Sequence, residues 1–386
     1  MHAEETISTT LATLRLTRFR LCLKARTPLL LPAYKGSALR GGFGQVFRRI
    51  ACLGADHGAT HCLLSDRCPY HYIFETPPPA GSVVLDKVPT APQPFVIEPP
   101  LENKRGYEPG EELVFHLVLI GKALDYLPYF IYTFDELGRV GLGRGKGNYT
   151  LESVAWLDAT EAAIPLYDGE RKILTDVFRP LTITDFSSLT VSSHRHSLLS
   201  LAQSDTPAPI RPEPFASVHP ERRCEAPKSK DAQDRLRASE VEGWTIPDTR
   251  VSHSQITLHF LTPTRLKFEN RLVADCEFHV LFRNLVRRIA LLDYFHCGGE
   301  FPPERREFVE SARAIETVKS DLRWIDWERY SNRQQNMVHM GGFVGQVTYR
   351  GDFTDFLPYL LLGTYTHVGK GVTFGLGRYE IAVVVS

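Results

Sequence analysis

The stretch GDFTDFLPYLLLGTYTHVGKGVTFGLGRYEI, from Gly351, aligns without gaps on GKALDYLPYFIYTFDELGRVGLGRGKGNYTL, from Gly121, 230 residues earlier. Nine pairs are identical: Gly121/Gly351, Asp125/Asp355, Leu127/Leu357, Pro128/Pro358, Tyr129/Tyr359, Gly141/Gly371, Gly145/Gly375, Gly147/Gly377 and Tyr149/Tyr379. A pattern carried twice at a fixed offset restricts the chain to two copies of one folding unit. In the second copy Phe353, Phe356, Leu357, Leu360, Leu361 and Tyr365 follow a helical period. Asp352 or Asp355 would cap that helix, and Pro358 is tolerated only in its first turn. The β-branched run from Tyr379 to Val385 then reads as a closing strand.

A second echo lies near the start of each half. ARTPLLLP, from Ala25, resembles FLTPTRLK, from Phe260, and VFRRIACL, from Val46, resembles LVRRIALL, from Leu285. Each half therefore reads as strand, helix, strands, helix, glycine loop and final strand. This predicts an α+β chain of two tandem ferredoxin-like domains of βαββαβ, RRM-like plan with glycine-rich loops. The expected boundaries are 11–180 for the first, with a Cys-rich insertion at 52–75, and 252–386 for the second. Residues 182–251, rich in Ser, Pro and charge, read as a linker or insertion, partly disordered. His194 and His196 fall there.

THVGKGVTFGLGRYEI is not a mononucleotide loop, because Lys370 is followed by Gly371 where a Ser or Thr would hold magnesium. Nor is it a dinucleotide fingerprint, since it runs from helix into strand rather than the reverse. Glycines let successive backbone N–H groups face phosphate oxygens. Gly369, Gly371, Gly375 and Gly377 would form such a cradle, with Lys370 and Arg378 adding charge. Arg139, Arg144 and Lys146 occupy the first copy. Phe374 and Tyr379 could stack on bases or pack beneath the loop.

The first helix, GSALRGGFGQVFRRIACL, places Leu39, Phe43, Val46, Phe47 and Ile50 on one face, with Ser37 as its cap. Gly41, Gly42 and Gly44 each cost roughly 1 kcal/mol against alanine, so RNA or the sheet must come close to that backbone.

Formal net charge is zero, which excludes a uniformly basic nucleic-acid coat. The distribution is uneven: Thr6–Ala55 contains no Asp or Glu but nine cations, Arg15, Arg18, Arg20, Lys24, Arg26, Lys35, Arg40, Arg48 and Arg49. That run suits a polyanion unless acids from elsewhere balance it. No membrane span or secretory signal is legible, and seven irregularly placed cysteines point to a reducing cytoplasm. Cys52, Cys62 and Cys68, with His57, His61 or His71 as a fourth ligand, are either a structural zinc site or free thiols.

With these motifs in view, the sequence resembles the RAMP superfamily of CRISPR-associated proteins, and within it the endoribonucleases that process precursor CRISPR RNA. HVGKGVTFGLGRYEI, LPAYKGSALRGGFGQVFRRIAC and TPTRLK…NLVRRIALL carry the resemblance. It implies a protein that binds CRISPR repeat RNA and precursor crRNA and works as a monomer or homodimer, alone or with an effector complex. It also implies cleavage without a cofactor, by attack of the substrate 2′-hydroxyl, giving 2′,3′-cyclic phosphate and 5′-hydroxyl ends. A histidine near neutrality is the natural base, with Lys or Arg stabilising the transition state. The family draws that histidine from around the first helix, with a tyrosine and a lysine as helpers. Tyr34 and Lys35 stand there, and Arg40 follows as an RNA contact, yet no histidine occurs between His2 and His57. The candidate bases are His367, beside Lys370, and His57 or His61, after the first helix; His339 is a weaker one. A non-catalytic RAMP subunit that holds RNA in an effector complex is the alternative.

Overall fold

The computed structural model describes residues 11–52, 67–78, 84, 90–175, 177–188, 254–301, 305–326, 328–331 and 336–384. Both halves fall within one compact unit. The first half is built from β1 (Arg15–Ala25), α1 (Gly36–Ala51), β2 (Phe95–Glu98), β3 (Glu112–Ile120), α2 (Leu127–Val140) and β4 (Tyr149–Leu157). The second repeats the plan with β5 (Ser254–Thr264), α3 (Phe278–His296), α4 (Arg305–Ser311), β6 (Glu316–Ile325), β7 (Gly342–Gly351), α5 (Leu357–Thr366) and β8 (Tyr379–Val384). The sheets run β2-β3-β1-β4 and β6-β7-β5-β8, the antiparallel ferredoxin-like order in both halves. Phe19 lies opposite Leu117 and Trp156, and Leu258 opposite Val347 and Ile381, so the same inner register recurs.

The repeat holds at single-residue precision where it matters. α2 and α5 begin at Leu127 and Leu357, and β4 and β8 at Tyr149 and Tyr379, all at the 230-residue offset. Each proline falls in its helix's first turn, where a missing N–H costs nothing. Each closing tyrosine sends its hydroxyl into the preceding helix, Tyr149 to the Phe134 carbonyl and Tyr379 to the Leu360 carbonyl, both at 2.7 Å. A glycine makes room for each ring: a Cβ on Gly138 would lie 3.0 Å from the Tyr149 ring, and one on Gly363 1.9 Å from the Tyr379 hydroxyl.

Three local expectations are corrected. Ser37 does not cap α1: Lys35 is the N-cap, without a side-chain hydrogen bond. Neither Asp352 nor Asp355 caps α5; Asp352 instead accepts from the Thr354 amide at 3.0 Å. Two of the glycines of α1 are approached by side chains rather than by the sheet. Gly42 is met by Leu137 of α2 and Gly44 by the Phe74 ring, while nothing stands within 4 Å of a Cβ on Gly41. Residues 182–188, at the start of the expected linker, belong to the first half. Leu181–Thr182 pairs with β1, Ile183–Ser188 is helical, and Ile183 is buried. The rest of that stretch, with His194 and His196, lies outside the described residues. Further strands at Ala163–Asp168 and Ile173–Leu174 extend the first sheet beyond β4.

Candidate functional site

The two sequence echoes prove to be one interaction made twice. In the first half the Arg144 amide donates to the Leu30 carbonyl at 2.9 Å, and Gly147 rides against the Pro28 carbonyl. In the second, the Lys370 amide donates to the Arg265 carbonyl at 3.1 Å and the Gly377 amide to the Pro263 carbonyl at 3.2 Å. The stretch around Thr-Pro at the end of each half's first strand thus accepts from that half's glycine loop, from one amide in the first half and two in the second. The amides of Lys146, Gly147, Phe374 and Gly375 are likewise bonded to carbonyls of the chain. The Gly375 and Gly377 amides are therefore spent on the fold, which leaves the tip at Gly369 and Gly371 as the part of the expected cradle that reaches solvent.

The loops differ in exposure. In the first, Gly143, Arg144, Gly145 and Lys146 are exposed, and a Cβ on Gly145 would meet nothing within 4 Å. In the second, residues 372–377 are buried and only the tip at Gly369, Lys370 and Gly371 reaches solvent. The buried part docks on the first half. The Phe374 carbonyl accepts from the Tyr34 hydroxyl at 2.7 Å, and a Cβ on Gly36 would sit 2.0 Å from that carbonyl oxygen. A Cβ on Gly375 would lie 2.4 Å from Pro99 and 2.7 Å from the Ile97 carbonyl. Gly375 also has φ +82, so it answers both a left-handed turn and a close approach. The Arg40 guanidinium lies 4.8 Å from the ring centres of both Phe74 and Phe374.

Beneath this seam runs a buried charge cluster. Glu98 Oε1 accepts from Arg18 Nη2 at 3.1 Å and from His367 Nε2 at 2.9 Å. Arg18 also bonds Glu161 at 2.9 Å and the Thr364 carbonyl at 2.9 Å, near the C-terminal end of α5, where a cation opposes the helix dipole. Its guanidinium lies 4.2 Å from the centre of the Tyr365 ring. Arg288 donates to the next carbonyls' neighbour, Thr366, at 2.8 Å, so each half supplies one arginine to this helix end. Burial alone would raise the Glu98 pKa, but Arg18, Arg378 and the His367 hydrogen bond hold it well below the carboxylate range. Burial, joined by Arg378 and Arg18, lowers that of His367 against the pull of Glu98. Both ring nitrogens of His367 face acceptors, Nε2 the Glu98 carboxylate and Nδ1 the Leu376 carbonyl at 3.1 Å.

His367 is fully buried with φ 57 and ψ 172, backbone angles that glycine favours, at a cost of about 1–3 kcal/mol. Sealed in this way it cannot meet a ribose hydroxyl, and its expected role as base is replaced by that of a strut between the halves. Lys35 is turned inward as well, donating to the Glu102 carbonyl at 2.7 Å, with its pKa lowered by burial. Arg139 is exposed but held by Glu136 and Asp135. Acids from elsewhere also meet part of the basic run: Arg18 is paired as above, and Arg26 lies 3.6 Å from Glu152. His57, His61 and Cys62 lie outside the described residues, as does the side chain of His339. Cys68 is buried with Sγ 3.6 Å from the Ala51 carbonyl, and Cys52 follows α1. Among the described residues no group of three or more His, Cys, Asp or Glu gathers as a metal site.

Sequence reading missed Arg265 and Lys267, although TPTRLK displays them. They stand beside Lys370, whose pKa is lowered by burial and then by these two cations. The result is a like-charge cluster at the exposed tip of the second loop, the electrostatic arrangement a phosphate chain relieves.

The fold is thus two ferredoxin-like halves, each closing through helix, glycine-rich turn and strand. Residues 258–379 match the family model of the CRISPR-associated endoribonuclease Cas6, and residues 14–178 a model described as an N-terminal domain. An uncharacterized protein of Archaeoglobus fulgidus is 30% identical over 140 residues, 36% of this chain and 45% of that protein. A chain of the partial Cas6-RT-Cas1–Cas2 complex is similar in fold, with TM-score 0.52 and 14% identity, over 97% of this chain and 47% of that one. Thermus thermophilus Cas6 is similar at TM-score 0.47 and 14% identity, over 96% of this chain and 99% of that one. This chain spans under half the length of the first two proteins. The Cas6 family match is thus confined to the second half, residues 258–379. Among the described residues no helix is long and apolar enough to cross a membrane.

Proposed function

We propose that the chain binds CRISPR repeat RNA and cuts precursor crRNA by internal transesterification. The ribose 2′-hydroxyl attacks the adjacent phosphorus while its proton passes to a base. The bond to the 5′-oxygen breaks and that oxygen takes up a proton, leaving 2′,3′-cyclic phosphate and 5′-hydroxyl ends. The observation that carries the reading is the match of residues 258–379 to the Cas6 endoribonuclease family. Arg265, Lys267 and Lys370 supply the charge that would meet the phosphates, with Arg144 and Lys146 on the first loop as a second group. With His367 occupied as a strut, His57 and His61 are the bases to test. Cys52, Cys62 and Cys68 remain a zinc proposal, checked by native mass spectrometry; Cys68 would have to give up its present contact with Ala51 to join.

The test uses end-labelled repeat RNA in EDTA, beside the same RNA with a 2′-deoxy sugar at the cut. Cutting of the first and not the second is expected, and His57→Ala or His61→Ala should abolish it with affinity kept. Cleavage that survives the deoxy sugar refutes the mechanism. A second reading, a non-catalytic RNA-holding subunit of a CRISPR effector complex, is favoured by one observation. The segment that leads into and forms α1 carries no histidine, the first after His2 being His57. Tight binding without cutting would support it, and light scattering with and without RNA would distinguish monomer from homodimer.

A further inference from the structure

The outer face of the second half holds a cavity of about 820 Å³ between α3, α4 and the hairpin formed by Lys267–Phe268 and Arg271–Leu272. His279, Arg283 and Arg287 line one wall at four-residue spacing along α3, so their rise is about 6 Å per step. Arg306 and Arg313 come from α4 and the turn that follows it. Phe268 lies at the hairpin end, its ring centre 5.6 Å from the Arg283 guanidinium, with His279 set edge-on at 5.5 Å. The cavity wall contains four arginines and one acid, Glu310, which pairs with Arg313. Arg283, Arg287 and Arg306 have no carboxylate within ion-pair distance among the described residues.

Arginines facing one another across a groove repel, and a chain of phosphates relieves that repulsion with forked hydrogen bonds. An aromatic ring already stacked with an arginine suits a base. The hairpin stands between the groove and the cation cluster described above and contributes a residue to each. Successive residues of a strand face opposite ways, so Lys267 stands with Lys370 and Arg265 while Phe268 turns into the groove.

We infer that the α3–α4 groove is a second RNA-binding site, taking a short single-stranded segment that leaves the Lys370 tip and crosses the hairpin. Phe268 stacks a base, and Arg283, Arg287 and Arg306 hold the backbone. The inference rests on the RNA-binding reading and specifies where the strand runs beyond the glycine loop.

The test measures binding of single-stranded oligoadenylates, about 4 to about 16 nucleotides long, as a function of salt. Wild type should gain both affinity and salt dependence once the oligomer is long enough to reach the groove. Arg283→Ala with Arg287→Ala should lower the salt slope for long oligomers by about 1.4, at roughly 0.7 per single-strand phosphate, or about 25-fold in affinity at 0.1 M salt. The short oligomers should keep the wild-type slope. Arg283→Lys with Arg287→Lys should restore the slope, which guards against misfolding of the alanine variant. Phe268→Leu should weaken long oligomers by about tenfold and leave the slope alone. An alanine variant with wild-type slope at every length overturns the inference, as does a groove that retains polyglutamate but not RNA. Wild-type protein that binds no RNA at low salt would instead refute the functional reading beneath it.

Discussion

Glu98→Gln tests whether the seam is held by charge. The substitution keeps shape and hydrogen-bonding capacity but removes the one fully buried carboxylate between Arg18 and His367. Breaking a buried pair from one side costs about 3–5 kcal/mol, because the surviving charge is left in the interior. Arg18 retains Glu161 at 2.9 Å, but that carboxylate is 49% exposed and screened by water, so it offsets only part of the loss. The expected cost is therefore near the lower end, about 3 kcal/mol, or roughly 1 M in urea midpoint for a slope near 3 kcal/mol/M. Urea melts at pH 7 would be followed by fluorescence, beside His367→Gln and the double variant. Because both residues share one bond at 2.9 Å, the two losses should fall short of additive by about 0.5–3 kcal/mol. A Glu98→Gln protein within about 0.5 kcal/mol of wild type, the range of an inconsequential surface change, would refute the argument that this cluster joins the halves.

Acid sensitivity should come from His296 together with His116, both lowered by burial to about 4; for His296 the Pro92 hydrogen bond opposes the shift. Between pH 4 and 6.5 the unfolded chain binds the extra proton of each, so stability is full above 6.5 and falls by about 3 kcal/mol per histidine as pH drops through that window. His296→Gln should flatten its share of that part of a pH–stability profile. Gly375→Ala should destabilise by about 2–5 kcal/mol, from the positive φ and the overlap with Pro99, whereas Gly145→Ala should cost only about 1–2 kcal/mol, since its site is open; thermal melts would rank them. Lys370→Ala and Arg144→Ala should each reduce the salt slope of RNA binding by about 0.7. Arg139→Ala should leave that slope unchanged, because Glu136 and Asp135 already hold its charge.

The architecture was legible because duplication repeats the same local choices. Leu-Pro-Tyr, the glycines and the closing tyrosine recur at one offset, and helix and strand begin there in register. The use of the glycines was not legible. A residue without a side chain looks the same whether its neighbour is a phosphate or the chain's own carbonyl, and at Gly36, Gly375 and Gly377 the neighbour is the chain. The cluster at the seam depends on pairings between residues 80 and 269 positions apart, which no local pattern carries. Arg265 and Lys267 were within reach, since two cations after a Thr-Pro strand end are visible in TPTRLK. So was the His279, Arg283, Arg287 stripe, whose four-residue spacing marks one face of a helix.

The duplicated helices start in step but stop a turn apart, α2 at Val140 and α5 at Thr366. Eight residues then lead to β4 and twelve to β8, so the second copy has four residues of slack that the first has wound into helix. The longer connection carries the 372–377 segment that fits into the first copy like a tenon, formed without any insertion. The two copies are therefore not exchangeable parts: lengthening α5 by one turn would withdraw the tenon and leave the partner's socket, at Gly36 and Tyr34, open to water.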